Sequence, residues 1–193
     1  MAAKPRILAF AGSARTGSYN KLLVRIAAAG ARAAGAETTY VDMRDFPMPL
    51  YDADLEKEQG MPENARKFKE LMIAHDGLLI SSPENNSTIS ALLKNVIDWA
   101  SRPAEGEPPL AAFDGKVAAI MSASPGTLGG LRGLAHVRAI LESIRVMVLP
   151  DQKAISGASS AFDAQGHLVD RKSQEAITNI GAGLARTLAK LNA

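Results

Sequence analysis

Residues 7–20 read ILAFAGSARTGSYN, an apolar run followed by a short segment of glycines and hydroxyl side chains. The run Ile7–Ala11 has the length of a strand, and because every position is apolar it is typical of a strand buried on both faces of a sheet. Beyond the polar segment, apolar residues recur at three- and four-residue steps from Leu22 to Ala33, as in an amphipathic helix. The stretch therefore predicts a strand, a turn and a helix, which together begin a parallel α/β sheet.

The same alternation continues along the chain. Further apolar runs of strand length occur at Thr38–Val41, Gly77–Ser81, Val117–Met121 and Val146–Leu149. Helical spacing occurs within Pro62–Ala74, Leu92–Ala100, Leu131–Leu141 and Ser173–Leu191. Because strands that alternate with helices pair in parallel through right-handed crossovers, the pattern favours a flavodoxin-like three-layer α/β sandwich with a five-stranded parallel sheet of order 2-1-3-4-5. The remaining long segments, Met43–Met61 and Asp151–Asp170, are predicted to be functional or partner-facing loops.

The composition is that of an ordinary globular protein. Its 193 residues, of which 47% are apolar and 22% charged, predict a single domain over residues 1–193. The 22 Lys and Arg residues nearly balance 20 Asp and Glu residues, so charge alone does not indicate a nucleic-acid partner. The apolar run near the N-terminus is too short for a signal peptide, and no stretch has the length of a membrane span. We therefore expect a cytoplasmic protein with neither a nucleic-acid nor a membrane partner.

Several chemistries lack the residues they need. The chain has no cysteine, which excludes disulfides, thiol nucleophiles and cysteine-held metals. Its histidines, His75, His136 and His167, do not have metal-ligand spacing, and no GxSxG nucleophile motif occurs. The acidic residues of the first long loop are interpreted as solvated charge, not as a cation site; they are Asp42, Asp45, Asp52, Asp54 and Glu56.

A ligand site is expected where strands one, three and four end, because open parallel sheets bind ligands beyond the carboxyl ends of their strands. The first turn, Gly12–Asn20, combines hydroxyls, Arg15, two glycines and a helix N-terminus, which suits a phosphate group. It resembles a P-loop, but Ser18 stands where the lysine of that motif belongs, and a GxGxxG fingerprint is missing. The alternative is a plain turn with Ser18 as the helix N-cap.

Two more turns would meet the first at the same edge. Ser81–Ser90 is rich in amides and hydroxyls that can bind the edge of a heterocycle. The alternative is a solvated loop with a helix cap at Ser87 or Ser90, which would have the same composition. Ser122–Gly130 has three glycines within five residues, which allow close backbone approach to a ligand or merely a flexible turn. Their convergence at one sheet edge favours a binding site over three unrelated turns.

Four segments resemble the NADPH-dependent FMN reductases, a flavodoxin-like group that includes chromate- and quinone-reducing flavoproteins and small azoreductases. They are GSARTGSYN (12–20), PLYDADLE (49–56), SPENNSTISALLKNVIDWASRP (82–103) and SASPGTLGG (122–130). The resemblance implies an oxidoreductase that passes hydride from NADPH or NADH through FMN to a small-molecule acceptor, namely a quinone, an azo compound, a metal oxyanion or free flavin. The cofactor supplies this chemistry, so we assign no side chain as an essential proton donor.

The resemblance also implies residue roles. Ser13, Arg15, Ser18 and Asn20 look like FMN phosphate ligands, with Tyr19 in the same cofactor-binding set. Pro83, Glu84, Asn86 and Ser87 look like the loop along the isoalloxazine ring, and Ser124 and Gly126 would lie beside the ring or the ribityl chain. A homodimer or homotetramer is implied, in which Tyr51 and Asp52 approach the flavin site of the neighbouring subunit.

One position departs from the family pattern. Asn85, also in the predicted cofactor-binding set, stands where the family usually has tyrosine. Loss of an aromatic contact with the flavin would cost about 1–3 kcal/mol, so we expect FMN to be partly lost on purification. Two alternatives stay open. One is a flavodoxin-like electron carrier without NAD(P)H reductase activity, and the other, to which the departure at Asn85 points, is a non-enzymatic protein that binds a different phosphate or a protein partner.

Overall fold

The computed structural model describes residues 3–192. The strands are β1 (Arg6–Ala11), β2 (Glu37–Val41), β3 (Gly77–Ser81), β4 (Glu84–Asn85), β5 (Thr88–Ile89), β6 (Val117–Ala123) and β7 (Met147–Ile155). Within the described residues, five of them form a parallel sheet of order β2-β1-β3-β6-β7, while β4 and β5 form a separate antiparallel hairpin. The predicted flavodoxin-like fold and strand order are confirmed.

Helices cover both faces of the sheet. They are α1 (Tyr19–Ala33), α2 (Ala53–Gln59), α3 (Glu63–Ala74), α4 (Ala91–Ala100), α5 (Leu131–Ser143), α6 (Ala158–Ala161) and α7 (Arg171–Leu191). Alternate residues of β1 point to opposite faces, so that Ile7 packs under α1 and α7 while Leu8 packs under α3, α4 and α5. No helix in the described part of the chain has the length and apolarity that crossing a membrane requires.

Helices α1 and α7 cross with their backbones in contact. A Cβ atom placed on Gly181 would lie 2.6 Å from the carbonyl carbon of Ala27 and closer still to its oxygen, and one on Gly30 would meet the carbonyl of Thr178 in the same way. Real Cβ atoms essentially never approach backbone so closely. The crossing therefore depends on glycine in both helices, and it places α1, whose N-terminus faces the sheet edge, firmly on the sheet.

The two long loops are more ordered than the sequence pattern indicates. Strand β7 continues through Pro150 to Ile155, so the predicted strand end at Leu149 and the predicted loop over Asp151–Asp170 are wrong in part. Proline is tolerated because β7 is an edge strand whose pairing with β6 shifts register between Ala118 and Ile120. The segment Met43–Met61 likewise contains a 3₁₀ turn and α2, which Asp52 caps by accepting hydrogen bonds from two backbone N–H groups.

Candidate functional site

The three predicted turns meet at one cavity. It has a volume of about 580 Å³, within the ordinary range for small-molecule sites, and opens at the carboxyl ends of β1, β3 and β6. Residues from the first turn, the hairpin, the start of α4 and the turn after β6 form its wall: Gly12–Arg15, Ser18–Asn20, Pro83–Asn85, Ser90–Leu92 and Ala123–Pro125. The sheet topology therefore brings together segments that lie more than 100 positions apart in the chain.

The first turn presents an unused hydroxyl to this cavity. Ser18 occupies the N-cap position of α1, but its side chain makes no capping hydrogen bond, unlike the plain capped turn that was the alternative. The hydroxyl is nearly buried and lies in the cavity wall beside Ser13 and Arg15. A helix N-terminus with uncapped N–H groups, two hydroxyls and a guanidinium is a suitable site for a phosphate group.

Ser90 links the first turn to the second. Its hydroxyl donates a hydrogen bond to the carbonyl of Gly12 at 2.6 Å and accepts one from the backbone N–H of Leu93 at 3.2 Å. Ser90 is thus the N-cap of α4, as one of the two alternatives predicted. A Cβ atom on Gly12 would lie 2.8 Å from Cβ of Leu93, so this glycine is needed for the close contact between the turn and α4.

Asn20 holds the sheet edge together. Its Nδ2 donates to the carbonyl of Ala123 at 2.9 Å, and its Oδ1 accepts from the Ala123 N–H at 3.0 Å and from the Ser81 hydroxyl at 2.8 Å. The side chain is buried in the cavity wall and bridges the ends of β3 and β6. Because its oxygen is already bound twice, Asn20 fixes the relative positions of β3, β6 and α1, and one amide N–H remains for its predicted contact with phosphate.

The second turn forms the β4–β5 hairpin. Asn86 and Ser87 occupy its tip with φ values of 49° and 68°, as a two-residue type I′ turn requires. Both lie outside the cavity wall, whereas Pro83, Glu84 and Asn85 form part of it. In the third turn Ser124 lines the cavity, but Gly126 does not; its N–H donates to the Ser124 hydroxyl at 3.3 Å. The structure therefore brings nine of the twelve predicted site residues together.

Glu84 anchors the hairpin to α5. Its carboxylate accepts hydrogen bonds from the backbone N–H of Gly133 and from Nε of Arg132, both at 3.0 Å. Burial alone would raise the pKa of Glu84, but the hydrogen bond from Gly133 and the ion pair with Arg132 outweigh it and lower the pKa. Glu84 is thus held as a carboxylate at the N-terminus of α5, where negative charge is favoured, and the bound carboxylate orients the hairpin.

We expect Glu84→Gln to lower the free energy of unfolding by about 1–2 kcal/mol, because the amide keeps the size of the side chain but removes the charged acceptor. Denaturant unfolding followed by circular dichroism measures the change. Glu63→Gln is the control, since its carboxylate makes an exposed pair with Lys67 one helical turn away and should contribute about 0.5 kcal/mol or less. Equal small effects from both variants would show that the Glu84 carboxylate does not hold the hairpin.

A buried ion pair supports the first turn from the side of β2. The Asp42 carboxylate lies 2.7 Å from Nζ of Lys21, and both side chains are largely buried. Asp42 also binds the guanidinium of Arg44, whose Nη1 donates to the Thr16 hydroxyl at 3.1 Å. Burial alone would raise the pKa of Asp42, but hydrogen bonds from Lys21 and from Arg44 outweigh it and lower the pKa to about 2.

The interpretation of Asp42 as solvated charge is therefore wrong. One signal in the sequence could have indicated its role: Asp42 directly follows β2, which pairs with β1 and so ends beside the first turn. The described residues contain no cluster of three or more His, Asp or Glu side chains able to hold a metal ion. His75 instead caps the end of α3, with Nδ1 lying 2.6 Å from the Leu71 carbonyl.

Tyr51 and Asp52 lie away from the cavity wall of their own chain. The Tyr51 ring packs edge-to-face on Trp99 with 5.1 Å between centroids. The backbone N–H of Tyr51 donates to Oδ1 of Asn95 at 2.7 Å. Trp99 in turn donates its indole N–H to the carbonyl of Pro49. The segment is thus fixed on α4 with Leu50 projecting into solvent at 75% exposure.

The fold and this cavity define a class: doubly wound α/β proteins that bind a phosphate-bearing cofactor at the carboxyl edge of the sheet. The cavity suits FMN, because a turn suited to a phosphate group and a polar hairpin line one space. The sequence pattern of the NADPH-dependent FMN reductase family matches residues 5–160, and the chain belongs to that family.

Known proteins similar to this chain agree with that assignment. An NAD(P)H-dependent FMN reductase of Pseudomonas aeruginosa is 40% identical over 173 residues, which are 89% of each chain. A quinone reductase of Escherichia coli K12 is 33% identical over 180 residues, 92% of each chain. The solved structure of FerB, a flavoenzyme NAD(P)H:(acceptor) oxidoreductase from Paracoccus denitrificans, superposes with a TM-score of 0.80 at 25% identity and covers 97% of this chain and 98% of its own. The predicted family, oxidoreductase class and use of FMN with NAD(P)H are confirmed.

Proposed function

We propose that this protein is an FMN-dependent NAD(P)H oxidoreductase whose acceptor is a quinone. The observation that carries the proposal is the single cavity in which the first turn, the hairpin and the turn after β6 meet. Several relatives at about one-third identity are named quinone reductase or NADPH:quinone oxidoreductase, which supports a quinone over the other acceptors considered. Bound FMN would supply the two-electron chemistry between NAD(P)H and the acceptor.

Different residues of the cavity wall would bind different parts of FMN. The phosphate would be held by Ser13, Arg15, Ser18 and the N-terminal N–H groups of α1. The hydroxyl of Ser18 suits this role because it makes no capping hydrogen bond. Pro83 and Asn85 would border the ring from the hairpin. Asn20 and Glu84 would act mainly through the positions of the segments they hold, because most of their polar atoms are bound to protein.

The proposal extends to assembly and location. We propose a homodimer or homotetramer in which the segment around Tyr51 and Asp52 contacts a neighbouring subunit. The strongly exposed Leu50, on a segment fixed to α4 by Asn95 and Trp99, supports such a contact. A cytoplasmic location is proposed because NAD(P)H is an intracellular reductant.

A visible spectrum tests the proposal directly. The purified protein is titrated with FMN, then treated with NADPH and afterwards with a quinone, both without oxygen. We expect a bound flavin spectrum that NADPH bleaches and the quinone restores. Bound flavin that NADPH cannot bleach would favour an electron carrier, bleaching that a quinone cannot reverse would favour another acceptor, and absence of FMN binding would contradict the proposal.

Arg15→Ala tests the phosphate site. We expect about a 10- to 100-fold rise in the Kd for FMN, because the variant loses charged hydrogen bonds to the phosphate. Arg32→Ala is the control, since Arg32 lies at the opposite end of α1 and donates to the Thr38 hydroxyl. An FMN affinity that falls equally in both variants would contradict the role of Arg15.

A further inference from the structure

Three planar side chains are in contact at the rim of the cavity. The Tyr19 and Phe162 rings are parallel to within 6°, with 5.9 Å between their centroids. The guanidinium carbon of Arg15 lies 5.1 Å from the centroid of the Tyr19 ring, within cation–π range. Arg15 and Tyr19 line the cavity, whereas Phe162 comes from the segment after α6 and does not.

Phe162 is held in place by its own segment. It forms a backbone bridge with Leu168, whose side chain is buried, and the N–H of Val169 donates to the carbonyl of Ala161 at 3.0 Å. The Asp163 carboxylate accepts from the N–H of His167 at 2.9 Å and closes the same turn. The Phe162 ring is partly buried against the core face that also contacts Tyr19. It therefore gives Tyr19 a fixed surface.

Arg15, in contrast, is held by little else. Its guanidinium makes no ion pair with any of residues 3–192. The Arg15 guanidinium nevertheless lies close to the first turn: its Nη1 would be 3.9 Å from a Cβ atom placed on Gly17. A long side chain loses rotamer entropy when a ligand immobilises it, and a contact that orients it beforehand reduces that loss.

We propose that Phe162 is a positioning residue for the phosphate site. It fixes the Tyr19 ring, and the ring in turn holds the Arg15 guanidinium over the first turn, where the phosphate of FMN would bind. Phe162 therefore increases the preference for FMN over riboflavin, which lacks the phosphate. The inference rests on the proposed function, because it assumes that FMN is the cofactor.

The ratio of the Kd for riboflavin to the Kd for FMN tests this role, since a purely structural effect of Phe162 would change both constants together. Flavin fluorescence titration measures both. We expect Phe162→Leu, which keeps an apolar side chain, to lower the ratio about two- to fivefold. In the Arg15→Ala background Phe162→Leu should leave the ratio unchanged. In the protein that keeps Arg15, Phe162→Tyr retains an aromatic ring and should leave the ratio near that of the unsubstituted protein.

Phe46→Leu is the matched control. Phe46 is also partly buried and packs edge-to-face on Phe68, but on the opposite face of the sheet, so its loss should leave the ratio unaltered. If Arg15→Ala lowers the ratio and Phe162→Leu does not, the role of Phe162 is overturned while the proposed phosphate site stands. If the unsubstituted protein binds FMN no more tightly than riboflavin, the proposed function and the role of Phe162 both fail.

Discussion

Gly181→Ala is expected to lower the free energy of unfolding by about 3 kcal/mol or more. The added Cβ would overlap the carbonyl group of Ala27, a backbone atom in the middle of α1 that no rotamer change can move. The helices would have to separate, which opens the core face beneath them, where Ile177 and Leu184 are fully buried. Separation would also move α1, and with it the first turn, which is the proposed phosphate site.

Gly183→Ala provides the matched control in the same helix. Nothing lies within 4 Å of a Cβ at Gly183, and alanine is the better helix former. We therefore expect this variant to raise the free energy of unfolding by about 0.5–1 kcal/mol. Denaturant unfolding of both variants measures the contrast. Similar values for the two would show that α1 and α7 do not cross in backbone contact.

Asp42→Asn is expected to cost about 3–5 kcal/mol of stability. The substitution leaves the ammonium of Lys21, whose side chain is only 5% exposed, without its carboxylate partner. It also removes the charge that orients Arg44, and through Arg44 the hydroxyl of Thr16 in the first turn. FMN affinity should therefore fall together with stability.

The pH dependence of stability tests the same pair. The folded-state pKa of Asp42, about 2, lies below its ordinary value of 3.8, so the carboxylate stabilises the fold above about pH 4. That contribution is lost as the pH falls through about 2, and Asp42→Asn should lack this part of the acid dependence.

Two further variants complete the test of Asp42. Adding Lys21→Met to Asp42→Asn removes the unpaired charge and should recover most of the stability. Asp114→Asn, which breaks an exposed pair with Arg145, should change stability by no more than about 1 kcal/mol. An Asp42→Asn variant as stable as Asp114→Asn would contradict the importance of the buried pair.

The strands, helices and first turn could be predicted because their signals are local. The uniform apolarity of Ile7–Ala11 and the three- and four-residue spacing after it depend only on near neighbours in the sequence. The end of β7 could not be predicted in this way. Pro150 in the sequence indicates the end of a strand. The strand continues because Pro150 lies on an edge strand whose pairing shifts register.

Most members of the candidate site could be predicted, nine of twelve, but not what each side chain binds. Residue types and turn positions placed Asn20 and Glu84 at the ligand edge, and both lie in the cavity wall. Whether a polar atom of these side chains stays free to bind a ligand depends on the hydrogen-bond partners that the rest of the fold places beside it. Ala123 and Ser81 occupy the oxygen of Asn20, and α5 occupies the carboxylate of Glu84.

The sequence by itself therefore determined the parallel sheet, its strand order and the edge at which the cavity lies, because periodicity and turn chemistry are local and crossovers have one hand. Only the tertiary structure decided that Asp42 neutralises Lys21, that Gly181 meets Ala27 and that Phe162 contacts Tyr19. Each of these contacts joins residues at least 21 positions apart in the chain. Their energies come from burial and close approach, which exist only once the helices have packed on the sheet.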